Sequence, residues 1–365
     1  MKWYNKIILF FTILAAIALL LSYAARYINP AKFWFMAYFG LGYFPIMIVN
    51  LFFLLYWFFA KRKIFFIILI LFLIGFRSHT DYFAFNMRNK TTEGANTIKL
   101  FSWNVKGLDA YNPETPYKNR DPMIKTIIDA KADIVCLQEF NTYQNESDQK
   151  KNLDVLLKGT GLKHYYYFKA YENRKKTRSF GVIILSKFPI KDSGVVPYKN
   201  VSKLNATIYA DIDIDGKLIR LFTAHLQSTQ LTHHDLEFID PIEGSGETNF
   251  NTDRVVNKLN SAFRMRAAQA DSVNNAIKNS PNPVIICGDF NDTPVSYTYH
   301  TVADDLQDAF LETGLGMGNT FIMMPFLRID YMLFDEDNFE ILSHKRIKTK
   351  TSDHYPTISE FEIIK

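Results

Sequence analysis

Residues 33–60 run for 28 positions without a charged side chain, rich in Phe, Leu and Tyr, and this stretch constrains the chain more than any other. A bilayer's hydrocarbon core is about 30 Å thick and a spanning helix needs about 20 apolar residues, so the run can cross even when tilted and interrupted by Pro45. It has company. Residues 7–23 carry no charge, and only Thr12, Ser22 and Tyr23 bear polar groups, which suits a short spanning helix. Residues 64–76 supply a third apolar run before Arg77, and a crossing there requires Arg77 to snorkel while the helix continues toward Phe85. A cleaved signal peptide would need a small-residue cleavage site after the first run, and a second long apolar run follows instead.

Loop charges set the orientation. Lys2 and Lys6 fall on the same side as Lys61, Arg62 and Lys63 if the second and third runs both cross, and that side is expected to be cytoplasmic. Three crossings place everything after about residue 86 outside the cytoplasm, whereas two would leave it inside. The expectation is a multi-pass protein of the cell (inner) membrane with its C-terminal domain on the non-cytoplasmic side.

The net charge of +5 hides an uneven division. Residues 1–95 hold ten Lys/Arg and two Asp/Glu, so the remainder is mildly acidic. The basic excess belongs to the apolar N-terminus and says nothing of nucleic-acid affinity. Hydrophobic residues at 48% and charged residues at 22% exclude a disordered chain. Two cysteines, Cys136 and Cys287, are too few for a disulfide framework or a thiolate metal site.

The organisation expected is a membrane anchor over residues 1–86, a polar linker over 87–95 and a soluble domain over 96–365. In that domain, apolar β-rich runs recur at 98–105, 132–140, 180–188, 204–214, 218–226, 283–290, 328–334 and 357–364. Several are apolar almost throughout, as strands buried on both faces are. Helical patterns fall at 121–131 and 254–279, and the sequence DIDG at 213–216 signals a hairpin turn. Sheets with helices covering them make a layered α/β sandwich.

Polar residues sit where these strands end: Asn104, Glu139, His225, Asp289 with Asn291, Asp330, and Asp353 with His354. Each alone has an ordinary reading. Asn104 could cap a turn, Glu139 could pair with a base, GDFND at 288–292 could be an Asx turn, His225 a satisfied core histidine, and Asp353 and His354 a strand cap. Converging on one rim, they would form a pocket of hard oxygen ligands and imidazoles, the composition of a magnesium-dependent phosphoryl-transfer site.

WNV with Asn104, LQE with Glu139, GVIILSKFPI at 181–190, TAHLQS with His225, GDFND, RIDYMLF with Asp330 and SDHYP with His354 together resemble the endonuclease/exonuclease/phosphatase superfamily, in that family's order. The resemblance spans roughly residues 96–364 and implies a four-layer α/β/β/α sandwich with its active site on one rim of the paired sheets. The apolar N-terminus is similar to the membrane anchors of bacterial members. The resemblance further implies Mg²⁺, with Mn²⁺ as a substitute, held by Glu139, with Asn104 as a neighbouring oxygen ligand or phosphate contact and Asp353 as a further ligand. His354 would act as general base oriented by Asp330, Asp289 would handle a water or leaving-group proton, Asn291 would hold a phosphate oxygen and His225 would donate to the phosphate. The expected partners are the membrane and a phosphodiester substrate, nucleic acid or a lipid headgroup, with nothing in the sequence pointing to a protein partner. Outside the site, Arg174, Lys175, Lys176 and Arg178 form a basic cluster. Residues 228–253, with His233, His234, Asp240, Glu243 and Glu247, form a mixed-charge insertion, and Arg266 and Gln269 either face the pocket or lie on an exposed helix face.

Overall fold

The computed structural model describes residues 2–86, 97–110, 115–143, 151–198, 204–229 and 252–364. The expected linker and, in the 228–253 insertion, His233, His234, Asp240, Glu243 and Glu247 lie outside them. Five helices come first: α1 (Trp3–Ala25), α2 (Met36–Leu41), α3 (Tyr43–Phe59), α4 (Ile64–Ile74) and α5 (Phe76–Tyr82). α1 and α3 lie antiparallel, held by their few polar side chains. Asn50 donates to the Ala15 carbonyl at 2.9 Å, and the Trp57 indole to Thr12 Oγ1 at 3.0 Å. Phe10, Phe52, Phe59, Ile67 and Leu73 point outward and are more than half exposed. An apolar surface of that extent calls for lipid or a partner around it.

Two of the three expected crossings are not straight. The 33–60 run breaks at Gly42, which ends α2 and begins the 17-residue α3. Pro45 falls in the first turn of α3, where no N–H is needed. The third run bends by 59° between α4 and α5. At that bend a Cβ on Gly75 would sit 2.0 Å from the Tyr23 ring. The helix ends at Tyr82 rather than continuing, and β1 (Ala84–Phe85) pairs with β11 (Leu315–Gly316). By length and composition, one described helix can cross a membrane, or two if the bent pair is one span.

The rest of the described chain forms two six-stranded sheets. One takes the order β13 (Phe339–Arg346), β14 (Thr357–Ile363), β2 (Thr97–Asn104), β3 (Ile134–Tyr143), β5 (Arg178–Ser186), β4 (His164–Glu172). The other takes β10 (Gln307–Asp308), β12 (Asp330–Phe334), β9 (Val284–Asp289), β8 (Lys217–His225), β7 (Thr207–Ile214), β6 (Ile190–Val195). The sheets pack through alternate residues, Leu100, Ile134, Cys136 and Ile184 against Ile212, Leu221, Ile285 and Cys287. The intervening residues face helices. Phe101, Val135, Leu137 and Ile183 meet α6 (Arg120–Asp129) and α7 (Asn152–Thr160). Phe222, Ala224 and Ile286 meet α8 (Thr252–Lys278) and α9 (Tyr297–Val302). A short α10 (Ala309–Thr313) completes the α-helices among the described residues. This is the four-layer sandwich, and burial on both faces is why its central strands are apolar throughout.

Each sheet holds one parallel pair at its centre, β2 with β3 and β8 with β9. Their C-terminal ends, with the starts of the antiparallel β12 and β14, meet at one rim.

Candidate active site

Glu139 reaches that rim because β3 bulges. Leu137 pairs with Ile183 and Phe140 with Gly181, so two residues of β3 oppose one of β5, and Glu139 takes a left-handed φ of 54°. A bulge re-aims a side chain at a strand's end, and positive φ in a non-glycine residue is costly enough to mark a constraint. Across the sheet interface, β8 and β9 approach so closely that a Cβ on Gly288 (φ 127°) would lie 2.1 Å from the Ala224 carbonyl oxygen. That approach sets His225 opposite Asp289.

Asn104, at the end of β2, joins the two sheets. Its Nδ2 donates to Glu139 Oε1 at 3.2 Å and to Asp289 Oδ2 at 3.0 Å, while its Oδ1 accepts from Lys106 N. Here Asn104 steadies two carboxylates, with its amide oxygen turned toward the backbone. His225 Nε2 lies 3.5 Å from Glu139 Oε1 and 3.9 Å from Asp289 Oδ2. His354 Nδ1 meets Asp330 Oδ2 at 2.9 Å, and its Nε2 faces Asp289 Oδ2 at 3.7 Å. Asn291, also at positive φ, donates its backbone N–H to Asp289 Oδ1 and its amide to the Leu226 carbonyl. Asp353 pairs with Lys106 at 2.8 Å. All eight residues named from the sequence therefore lie on one rim.

Burial sets the electrostatics. It pushes Glu139 above the usual carboxylate range, against the Asn104 hydrogen bond. Asp289 is lifted by burial to about 6, with His354 pulling the other way. Burial would lower His354, but Asp330 and then Asp289 outweigh it and carry the imidazole up to about 10. His225 is lowered, chiefly by burial. Burial would raise Asp353, yet His354 and Lys106 hold it low.

The donor set at the Glu139 side is made of carboxylates and amides, with Cys136 and Cys287 buried between the sheets. A buried and a half-buried acid, both lifted by desolvation, beside one lysine suit a hard divalent cation. Asp289, Asp330 and His354 also offer ligand atoms within 4.8 Å of one another. The Asp330 to His354 bond engages one pair of those atoms internally.

Other site-supporting residues carried no motif in the sequence. Thr320 Oγ1 accepts from the backbone N–H of Ile329 and of Asp330, both at 3.0 Å, which fixes the start of β12. Phe321 sets its ring edge-on to His354 at 5.3 Å. Arg266 is buried rather than exposed, bonding the Gln227 carbonyl at 2.8 Å and Asp292 Oδ2 at 3.3 Å. Gln269 accepts from Gln227 N at 2.7 Å. Helix α8 thus pins the loops that follow β8 and β9. In the basic cluster, Arg174, Lys175 and Lys176 are exposed on the β4 to β5 turn, while Arg178 lies over the Tyr143 ring at 5.5 Å and bonds Asn141.

Solved structures with the same fold include the catalytic domain of human nocturnin with bound sulfate, 16% identical with a TM-score of 0.53, covering 76% of this chain and 97% of that one. An endonuclease/exonuclease/phosphatase from Beutenbergia cavernae is 16% identical with a TM-score of 0.50, covering 73% of this chain and 72% of its own. A humanized D. rerio TDP2 is 20% identical with a TM-score of 0.50, covering 73% of this chain and 99% of its own. No curated protein matches the chain. Residues 5–82 match a domain of unknown function, DUF8431. Residues 101–354 match the Endonuclease/Exonuclease/phosphatase family, and with most of its length so matched the chain belongs to that family.

Proposed function

We propose that this chain is a membrane-anchored, divalent-metal-dependent phosphodiesterase. The observation that carries the reading is the meeting, on one rim, of half-buried Glu139 and buried Asp289 with a histidine backed by its own aspartate. Glu139 would hold Mg²⁺ or Mn²⁺ with help from Asp353, while Asn104 keeps Glu139 in place. The cation would supply charge neutralisation at the phosphate as negative charge grows on its non-bridging oxygens.

Every other role falls to side chains. Asp330 engages Nδ1 of His354 and so leaves Nε2 free to face Asp289 across 3.7 Å, a gap that a water oxygen can bridge. Asp289 takes the proton from the attacking water, while His354, which already holds its proton and is kept oriented by Asp330, stays beside it as a charged donor. Asn291 and His225 flank the same carboxylate, and Asn291 would hold a phosphate oxygen while His225 would donate to the phosphate or the leaving group. Water thereby adds to phosphorus and one P–O ester bond breaks. The outward apolar faces of α1, α3 and α4 support anchoring in a membrane, with the sandwich at one end of the helices.

The test is hydrolysis of bis(p-nitrophenyl) phosphate by full-length protein in Mg²⁺. Glu139→Ala and His354→Ala are each expected to abolish it while the fold is retained by circular dichroism. Wild-type rates in both variants would refute the assignment.

A further inference from the structure

The N-terminal helices pack against the loop that follows Asp289 and the loop that precedes Asp330. Thr293 Oγ1, four residues beyond Asp289, donates to the Gly40 carbonyl of α2 at 3.1 Å. Val295 is fully buried among Leu19, Tyr23, Tyr43 and Met47. On the other loop, Phe326 precedes Asp330 by four residues and stacks on Phe44 of α3, 5.6 Å between centroids and 10° between planes. Its carbonyl accepts from the Tyr82 hydroxyl. Arg328, two residues on, donates to the Asp81 carbonyl at 2.7 Å, and Asp81 itself pairs with Arg26 at 2.7 Å. Four residues of chain reach at most about 14 Å, so Asp289 lies no further than that from the residue touching α2. The rim bearing the site is therefore the rim that meets the anchor.

The sequence Phe-Ile-Met-Met-Pro-Phe, residues 321–326, runs between the two. At one end Phe321 bridges to the His354 backbone and lies against its imidazole, and Ile322 N donates to the Asp353 carbonyl at 2.8 Å. At the other end Phe326 lies on the anchor. Between them Met323 is 50% exposed. Tyr27, Phe33, Trp34 and Phe35, all partly or largely exposed, mark the same end of the bundle with the aromatic side chains that favour a membrane interface.

We propose that residues 321–326 form a lip set in the membrane interface, and that the substrate is a phosphodiester of a membrane lipid. The headgroup would reach the site along the lip while the acyl chains stay in the bilayer. This rests on the phosphodiesterase reading above. An uncharged, partly exposed apolar segment joined to a membrane helix finds its natural surroundings in lipid, whereas a nucleic acid would bring its phosphates against an anionic surface. In the reaction, water's oxygen bonds to phosphorus, one ester P–O bond breaks and the departing alkoxide takes a proton. The products are an alcohol and a phosphomonoester.

The experiment places the full-length protein in vesicles of phosphatidylcholine, phosphatidylethanolamine, phosphatidylglycerol and sphingomyelin with Mg²⁺. Lipid products are read by mass spectrometry, with bis(p-nitrophenyl) phosphate and plasmid DNA assayed in parallel. Met323→Asp is expected to lower lipid hydrolysis by about tenfold or more, while hydrolysis of the nitrophenyl ester stays within about twofold. Unchanged lipid hydrolysis in M323D would overturn the proposal, as would lipid left intact by a wild-type protein that cleaves the nitrophenyl ester or plasmid. Failure of the wild type on lipid, nitrophenyl ester and plasmid alike would instead refute the phosphodiesterase reading, and this inference with it.

Discussion

Replacing Asp330 by Asn removes one charge from the site and keeps its shape. Asp330 Oδ2 lies 2.9 Å from His354 Nδ1, and both side chains are buried. At an effective dielectric of about 20, two unit charges at that distance attract by roughly 6 kcal/mol, which equals about four pKa units. Burial opposes the charged imidazole, so losing the aspartate should bring His354 from about 10 to near or below its ordinary value. The wild-type imidazole therefore holds a proton that the unfolded chain releases between pH 6.5 and about 10. Its contribution to stability is fully present below pH 6.5 and is lost as the pH rises through 10. D330N should thus differ most from the wild type in melting temperature below pH 6.5 and converge with it at high pH. Imidazole titration by NMR, run with EDTA on detergent-solubilised protein, reads the shift directly, and kcat on bis(p-nitrophenyl) phosphate should fall by about 10²- to 10⁴-fold. A His354 that still titrates above 9 in D330N, or a wild-type kcat, would refute the coupling.

Metal should stabilise the fold. At a free concentration 100 times its Kd, Mg²⁺ is expected to add about 2.7 kcal/mol, and Glu139→Gln should abolish most of that gain in thermal melts. Asp289 is raised from 3.8 to about 6, so without metal the native state binds the extra proton and loses roughly 3 kcal/mol of stability as pH rises across that window. Asp289→Asn should flatten this dependence, measured by urea titrations at pH 4.5 and 7. Gly288→Ala, whose Cβ would strike the Ala224 carbonyl, should cost about 3 kcal/mol or more or prevent folding, and an unchanged melting temperature would contradict the close approach. Thr320→Val leaves the N–H groups of Ile329 and Asp330 without their acceptor and should cost about 2 kcal/mol with a fall in kcat, read by urea melts and steady-state kinetics.

Most of the eight strands legible in the sequence are apolar through most of their length, because burial on both faces dictates their composition; β14, in which buried and half-buried residues alternate, is an exception. The strands that escaped are mostly edges. β4 and β13 close one sheet, β6 and β10 the other, and each has one flank without a neighbouring strand. Half-polar segments such as IKDSGV and FEILSHKR carry no such two-sided signal. The site residues were legible because carboxylates, amides and imidazoles at strand ends interrupt apolar runs. Thr320 and Phe321 were not, since a loop residue shows its role only once the folded chain brings a distant segment beside it, and for Arg266 the sequence left the pocket and an exposed helix face equally open. The straight third crossing failed for a similar reason. Residues 76–82 turn to meet the sandwich, where Tyr82 and Asp81 find partners in the 326–328 segment.

The account stands on one cation seated beside a histidine that keeps its aspartate. Anomalous scattering from crystals grown in Mn²⁺ tests that claim most directly. One peak about 2.2 Å from a Glu139 carboxylate oxygen, with Asp330 still bonded to His354, is the predicted result. A peak inside the group formed by Asp289, Asp330 and His354, with that bond broken, or no peak on this rim at all, would contradict it.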